Sequence, residues 1–77
     1  MPDVLRKLIE DGWQTVVPCL VRFDNHSFMH YEEGGGCLLH HSEHIYGTVE
    51  WLITFGPETP TEIILSTCRL ALTQDID

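Results

Sequence analysis

Thr48-Val49-Glu50-Trp51-Leu52-Ile53-Thr54-Phe55 is the longest run of β-branched and aromatic residues in the chain, bounded by Gly47 and by Gly56-Pro57. That composition and punctuation predict a strand over 47–55, which we read as the central strand of a small sheet. Val49, Trp51, Ile53 and Phe55 then share one face, and Thr48, Glu50, Leu52 and Thr54 the other. A helix over 45–55 is the competing reading, because Ile45, Val49 and Leu52 also fall on one helical face.

Beyond this stretch, Thr59-Pro60-Thr61-Glu62 has the form of a helix start, with Thr59 as cap, Pro60 in the first turn and Glu62 reaching back. A helix over 60–73 turns Ile64, Leu65, Cys68, Ala71 and Leu72 toward the sheet. Ile63 and Leu70 fall on a second flank, where they form a candidate self-association stripe unless the N-terminal helix covers them. The Ile, Leu and Thr content of this segment also suits a strand. Gln74 to Asp77 is an acidic tail.

On the N-terminal side, Cys37 to His41 reads as a short strand, preceded by Glu32-Glu33-Gly34-Gly35-Gly36 as a loop or wide hairpin turn. Ser27 to Tyr31 is another strand, entered from turn chemistry at Asp24-Asn25-His26. Period-two alternation from Trp13 to Phe23 predicts one strand, with Trp13, Thr15, Val17, Cys19, Val21 and Phe23 on its apolar face. Pro18 lacks an amide donor, which places it at an edge or a bulge. Val4, Leu5, Leu8 and Ile9 form one stripe of a helix over 3–11, and Gly12 is placed to end it so that Trp13 folds back on Leu8. The expected fold is α+β: a three- to four-stranded antiparallel sheet with both helices on one face. The opposite face is left with Leu20, Met29, Tyr31, Leu52 and charged residues.

At 77 residues with 43% hydrophobic content, the chain is one domain with a modest core. A core of this size leaves a margin of only ~3–5 kcal/mol. Cys19, Cys37 and Cys68 are odd in number, widely spaced and set among apolar neighbours, which predicts buried thiols rather than a disulfide framework. The first dozen residues are amphipathic and lack signal-peptide form, and no apolar run approaches a membrane span. These features place the protein in a reducing cytoplasm.

Charge is the strongest global property. Twelve Asp and Glu against four Lys and Arg give a net charge of −8 with histidines neutral. Arg6, Lys7, Arg22 and Arg69 form no basic run, which argues against direct nucleic-acid or anionic-membrane binding. An acidic surface instead steers association with a basic one, although acidity also serves solubility alone.

Five histidines, His26, His30, His40, His41 and His44, lie in one 19-residue window. His26/His30 and His40/His44 have helical ligand spacing, but on strands residues four apart are separated by about 13 Å. A hairpin closing at the glycines brings His30 beside Leu38 and His41 near Ser27, which keeps a mixed His/Cys metal site open. The histidines beside Glu32, Glu33 and Glu43 also admit a charge change near neutrality. Ser42 between His41 and Glu43 is not a triad, since triad members converge in space rather than in sequence. The glycine run is neither a phosphate-binding loop nor a dinucleotide fingerprint. Glu32 and Glu33 face opposite ways on a strand, which disfavours a general-acid pair.

These readings converge on a non-enzymatic interaction protein, without a cofactor, that binds a partner with a basic surface and inhibits or regulates it. Glu32, Glu33, Glu43, Glu50 and Tyr31 are the expected contact residues, with Tyr46 and Met29 as further anchors. Trp13 and Trp51 are expected in the core. No motif maps residue by residue onto a known family. In size and charge alone the chain is similar to small phage- or plasmid-encoded inhibitors, some of which mimic nucleic-acid charge against a DNA- or RNA-binding machine. The competing functions are a metal-binding domain using His40, His41, His44 and Cys37, and a structural subunit of a homodimer or larger oligomer.

Overall fold

The computed structural model describes residues 1–44 and 47–74. Its elements are α1 (Asp3–Glu10), β1 (Gln14–Val17), β2 (Leu20–Phe23), β3 (His26–His30), β4 (Cys37–His41), β5 (Trp51–Phe55) and α2 (Thr61–Gln74). The strands form one antiparallel meander in chain order, β1-β2-β3-β4-β5. The architecture is therefore α+β, with five strands rather than three or four. Ile45, Tyr46 and the acidic tail at 75–77 lie outside the described residues.

The extra strand comes from 13–23, which is a hairpin and not one long strand. Val17 pairs with Leu20 across a turn at Pro18-Cys19, and the register shifts between Thr15 and Val17. Pro18 sits in the turn because its fixed φ suits a tight reversal and its missing N–H is not needed there. The irregularity at Val16 keeps Thr15 opposite Val21, so the apolar alternation runs through the reversal and hides it.

β5 is the second correction. In a meander with this order the last strand lies at an edge, so 51–55 borders solvent instead of occupying the middle of the sheet. Residues 47–50 carry no regular structure, and the strand is shorter than 47–55.

α1 ends as its sequence suggests. Gly12 adopts φ +108°, its N–H donates to the Ile9 carbonyl, and the Trp13 N–H donates to the Leu8 carbonyl at 3.0 Å. This satisfies two carbonyls of the last turn and swings buried Trp13 onto the sheet, where its ring lies 5.9 Å from that of Phe23. At the start of α2 the Pro60 carbonyl, not Thr59, stands at the cap position: it accepts from Ile63 and Ile64.

The register assigns each side chain to a face. Val21, Phe28, Leu39 and Ile53 form one row across β2 to β5, and Phe23, His26, His41 and Trp51 form the next. This face receives both helices: Val4, Leu5 and Leu8 of α1, and Ile64, Leu65, Cys68 and Ala71 of α2, close over Val21, Phe28, Cys37, Leu39 and Phe55. The helices run in the same direction, since Asp3 and Thr61 border one depression while Asp11 and Arg69 pair farther along. Arg22, Ser27, His40 and Leu52 form a row on the uncovered face, alongside Leu20, Met29, Leu38 and Thr54. Leu20 is nonetheless buried and Met29 half-buried, because apolar side chains opposite one another across strands shield each other.

Candidate protein-interaction site

The expected contact residues do not form one patch. Tyr31, Glu32 and Glu33 are exposed on the 31–36 loop, which the Tyr31 N–H closes by donating to the Gly36 carbonyl at 2.8 Å. Gly34 and Gly35 take φ of +82° and +71°, which is why this reversal needs glycine. Gly35 also approaches Pro57, so exposed Glu58 joins this end. Glu43 and Glu50 lie beyond the other end of β4, together with exposed Asp24 in the β2–β3 turn. The two acidic groups are thus separated by at least the length of β4, about 14 Å.

Each of the four basic side chains is engaged within the chain. Arg6 and Lys7 both pair with Asp3, and Arg69 pairs with Asp11 at 3.0 Å. The Arg6 guanidinium, aided by Lys7, holds the Asp3 carboxyl below its usual range. Arg22 lies on the uncovered sheet face and donates to Ser27 Oγ (2.7 Å), to the Ser42 carbonyl (2.7 Å) and to the Glu43 carbonyl (3.1 Å). Ser27 and Ser42 are fully buried, and the Ser42 N–H donates to the Asn25 carbonyl, so Arg22 ties the 42–44 turn to the β2–β3 turn.

The histidines divide between the faces. His40 lies opposite Ser27 beside Arg22, with its Nδ1 buried and without a hydrogen-bond partner. Desolvation, and then the Arg22 charge, lower its pKa from 6.5. The unfolded chain therefore takes up this proton first: stability is intact above about pH 6.5 and falls as pH drops below it. Urea unfolding from about pH 8 to about pH 5 checks this. Wild type is expected to lose stability more steeply than His40→Gln, and equal slopes would contradict it.

On the helix-bearing face the hairpin register differs by one residue from the expected one. His30 stands opposite Cys37 and His41 opposite His26, and a one-residue shift exchanges faces. Buried His26 therefore meets His41 at a ring distance of 4.9 Å, Trp51 stacks on His41 at 5.7 Å and 12°, and Glu50 Oε1 lies 2.7 Å from His41 Nδ1. The β3–β4 register, closed by the 31–36 loop, sets His26 rather than Ser27 across from His41, and no local sequence signal fixes that frame.

The metal-site alternative does not assemble. His40 and His41 point to opposite faces, Cys37 is buried at the far end of β4, and His44 is exposed in the following turn. Among the described residues, no group of three His, Cys, Asp or Glu is arranged to hold a metal ion. All three cysteines are unpaired thiols, and burial raises the pKa of Cys37 and pushes Cys68 up to about 12, so neither is an activated nucleophile.

Ile63 and Leu70 are not covered by α1, which packs on the other flank of α2 through Asp11 and Arg69. They border Thr67 and Ala71, which line a shallow apolar depression with Leu70, Trp51 and Ile53. Trp51, expected in the core, is 36% exposed because its strand is an edge. No helix among the described residues is long and apolar enough to cross a membrane. Compared with known proteins, the chain matches no family model, no curated protein and no solved structure.

Proposed function

We propose that this chain is a small acidic, non-enzymatic interaction protein of the cytoplasm that docks on a basic protein surface, such as that of a nucleic-acid-handling protein, and inhibits or regulates it. The supporting observation is the disposition of charge: every Lys and Arg is occupied internally, while Glu32, Glu33 and Glu58 at one end of the sheet and Asp24, Glu43 and Glu50 at the other are exposed. Such a surface offers exposed carboxylates in excess to a cationic partner, while its exposed cations Arg6, Lys7 and Arg69 are each already paired with a carboxylate. The two ends are alternative docking faces, with Tyr31 as an aromatic anchor at the first.

A tagged pull-down from lysate of the native host, eluted with a salt gradient, tests this reading. The expected catch is a basic protein released at moderate salt. Charge reversal at one end, Glu32→Lys with Glu33→Lys or Asp24→Lys with Glu43→Lys, is expected to weaken binding roughly tenfold and leave the other pair's effect small. Binding that withstands high salt and both reversals would overturn the proposal.

A further inference from the structure

The two edges of the sheet are not equivalent. β1 carries a register irregularity at Val16 and ends at Pro18, both of which impede strand addition. β5 has neither. Trp51-Leu52-Ile53-Thr54-Phe55 is regularly paired with β4 along its whole length and contains no charge, no proline and no glycine. Alternate N–H and C=O groups of such a strand point outward into the open edge.

Beside that edge runs the flank of α2 that faces away from α1. Trp51, Leu52, Ile53, Ile63 and Leu70 are 36, 55, 38, 55 and 58% exposed. A large apolar side chain offers on the order of 200 Å² when fully exposed, so these five present about 500 Å². The strand's backbone edge, Thr54 and Thr67 add to this, which brings the surface toward the ~800 Å² per partner of a standard interface.

We propose that the β5 edge and the Ile63–Leu70 flank of α2 bind a second copy of this chain, forming a closed twofold dimer with a continuous ten-stranded sheet. An isologous contact requires a self-complementary surface, and the register decides whether this one is. With the twofold at Ile53, Trp51 meets Phe55 of the second copy and Leu52 meets its Thr54. Glu50 then falls opposite Gly56, and Glu58 opposite Thr48, so no carboxylate faces another along the seam despite the net charge of −8. The two α2 flanks meet above the seam and cover Leu70 and Ile63. This dimer does not depend on the basic partner, because Glu32, Glu33, Asp24 and Glu43 lie off the paired strand, while Glu50 and Glu58 flank it.

Sedimentation of the purified full chain from about 1 to 100 µM, where interfaces of this size associate, tests the assembly. The expected mass is twice the 8.8 kDa of the chain. Leu70→Glu and Ile53→Lys are each expected to raise the dissociation constant at least roughly tenfold while the circular dichroism spectrum is kept. Paired residues of antiparallel strands have Cα atoms about 4.5–5.5 Å apart, within disulfide reach. Mild oxidation of Ile53→Cys should therefore yield covalent dimer above the wild-type background, and Val16→Cys at the β1 edge should not. A monomer across the whole range, a dimer unaffected by Leu70→Glu, cross-linking through Val16→Cys alone, or open-ended oligomers would each overturn the proposal.

Discussion

Phe28→Ala is expected to abolish cooperative folding at 25 °C. Phe28 is fully buried in the row Val21, Phe28, Leu39 and Ile53, and its ring lies 6.3 Å from that of Phe55. Both helices close over Val21, Phe28 and Leu39 of this row. Truncating a buried Phe removes its transfer energy and leaves a cavity, at a cost of about 3–5 kcal/mol. That equals the ~3–5 kcal/mol margin of a core this size. Circular dichroism during a urea titration, at concentrations too low for association, should show no sigmoidal transition for the variant. Leu52→Ala, on the exposed side of β5, should stay within about 0.5 kcal/mol of wild type. A Phe28→Ala transition with the wild-type midpoint would refute this placement of the core.

The second large effect is expected at Arg22→Met, which keeps an apolar stem and removes the guanidinium. Ser27 Oγ and the Ser42 carbonyl then lose a donor at sites closed to water. An orphaned buried polar group costs about 1–3 kcal/mol, so the two together predict a loss of roughly 3 kcal/mol. Ser27→Ala in the same background should return part of that loss, since it deletes one orphan, and a double-mutant cycle reads the coupling. The variant should also raise the His40 pKa toward its ordinary value, because one of the two influences holding it down is gone. Full additivity of the two substitutions, with an unmoved His40 titration, would show that the cluster is not coupled.

Charge reversal and dimer disruption report on different surfaces. The reversed carboxylates Glu32, Glu33, Asp24 and Glu43 lie outside β5, and β5 itself carries no charge. A variant such as Leu70→Glu that dissociates the dimer therefore leaves the acidic ends available to a basic partner, and Glu32→Lys leaves the seam intact.

Local chemistry made several elements legible. The α1 stripe, its Gly12 end, the turn at Asp24 and the loop at Gly34 and Gly35 all follow from backbone preferences of single residues, and the structure realises each, with Asp24 itself at φ 50°. α2 forms as a helix because its buried positions, Ile64, Leu65, Cys68 and Ala71, follow the helical period. The acidic balance and the absence of a disulfide framework also came from composition and spacing, while the expected burial holds for Cys37 and Cys68 and not for Cys19, which is half-buried in the β1–β2 turn.

Whatever depends on pairing between segments was decided only by the tertiary structure. Alternation alone could not separate β1 from β2, because the irregularity at Val16 preserves the apolar face across the Pro18-Cys19 turn. Strand propensity predicted a central strand over 47–55, of which only 51–55 is strand and at an edge, because propensity does not specify neighbours; the exposure of Trp51 and the β5/α2 apolar surface were hidden for the same reason. The one-residue frame that sets His26 against His41, and the placing of Glu32 and Glu33 far from Glu43 and Glu50, likewise follow from register and sheet order. Side-chain type and local period are properties of neighbouring residues, whereas register and strand order are set by which non-local pairings bury the most apolar surface with every backbone group satisfied.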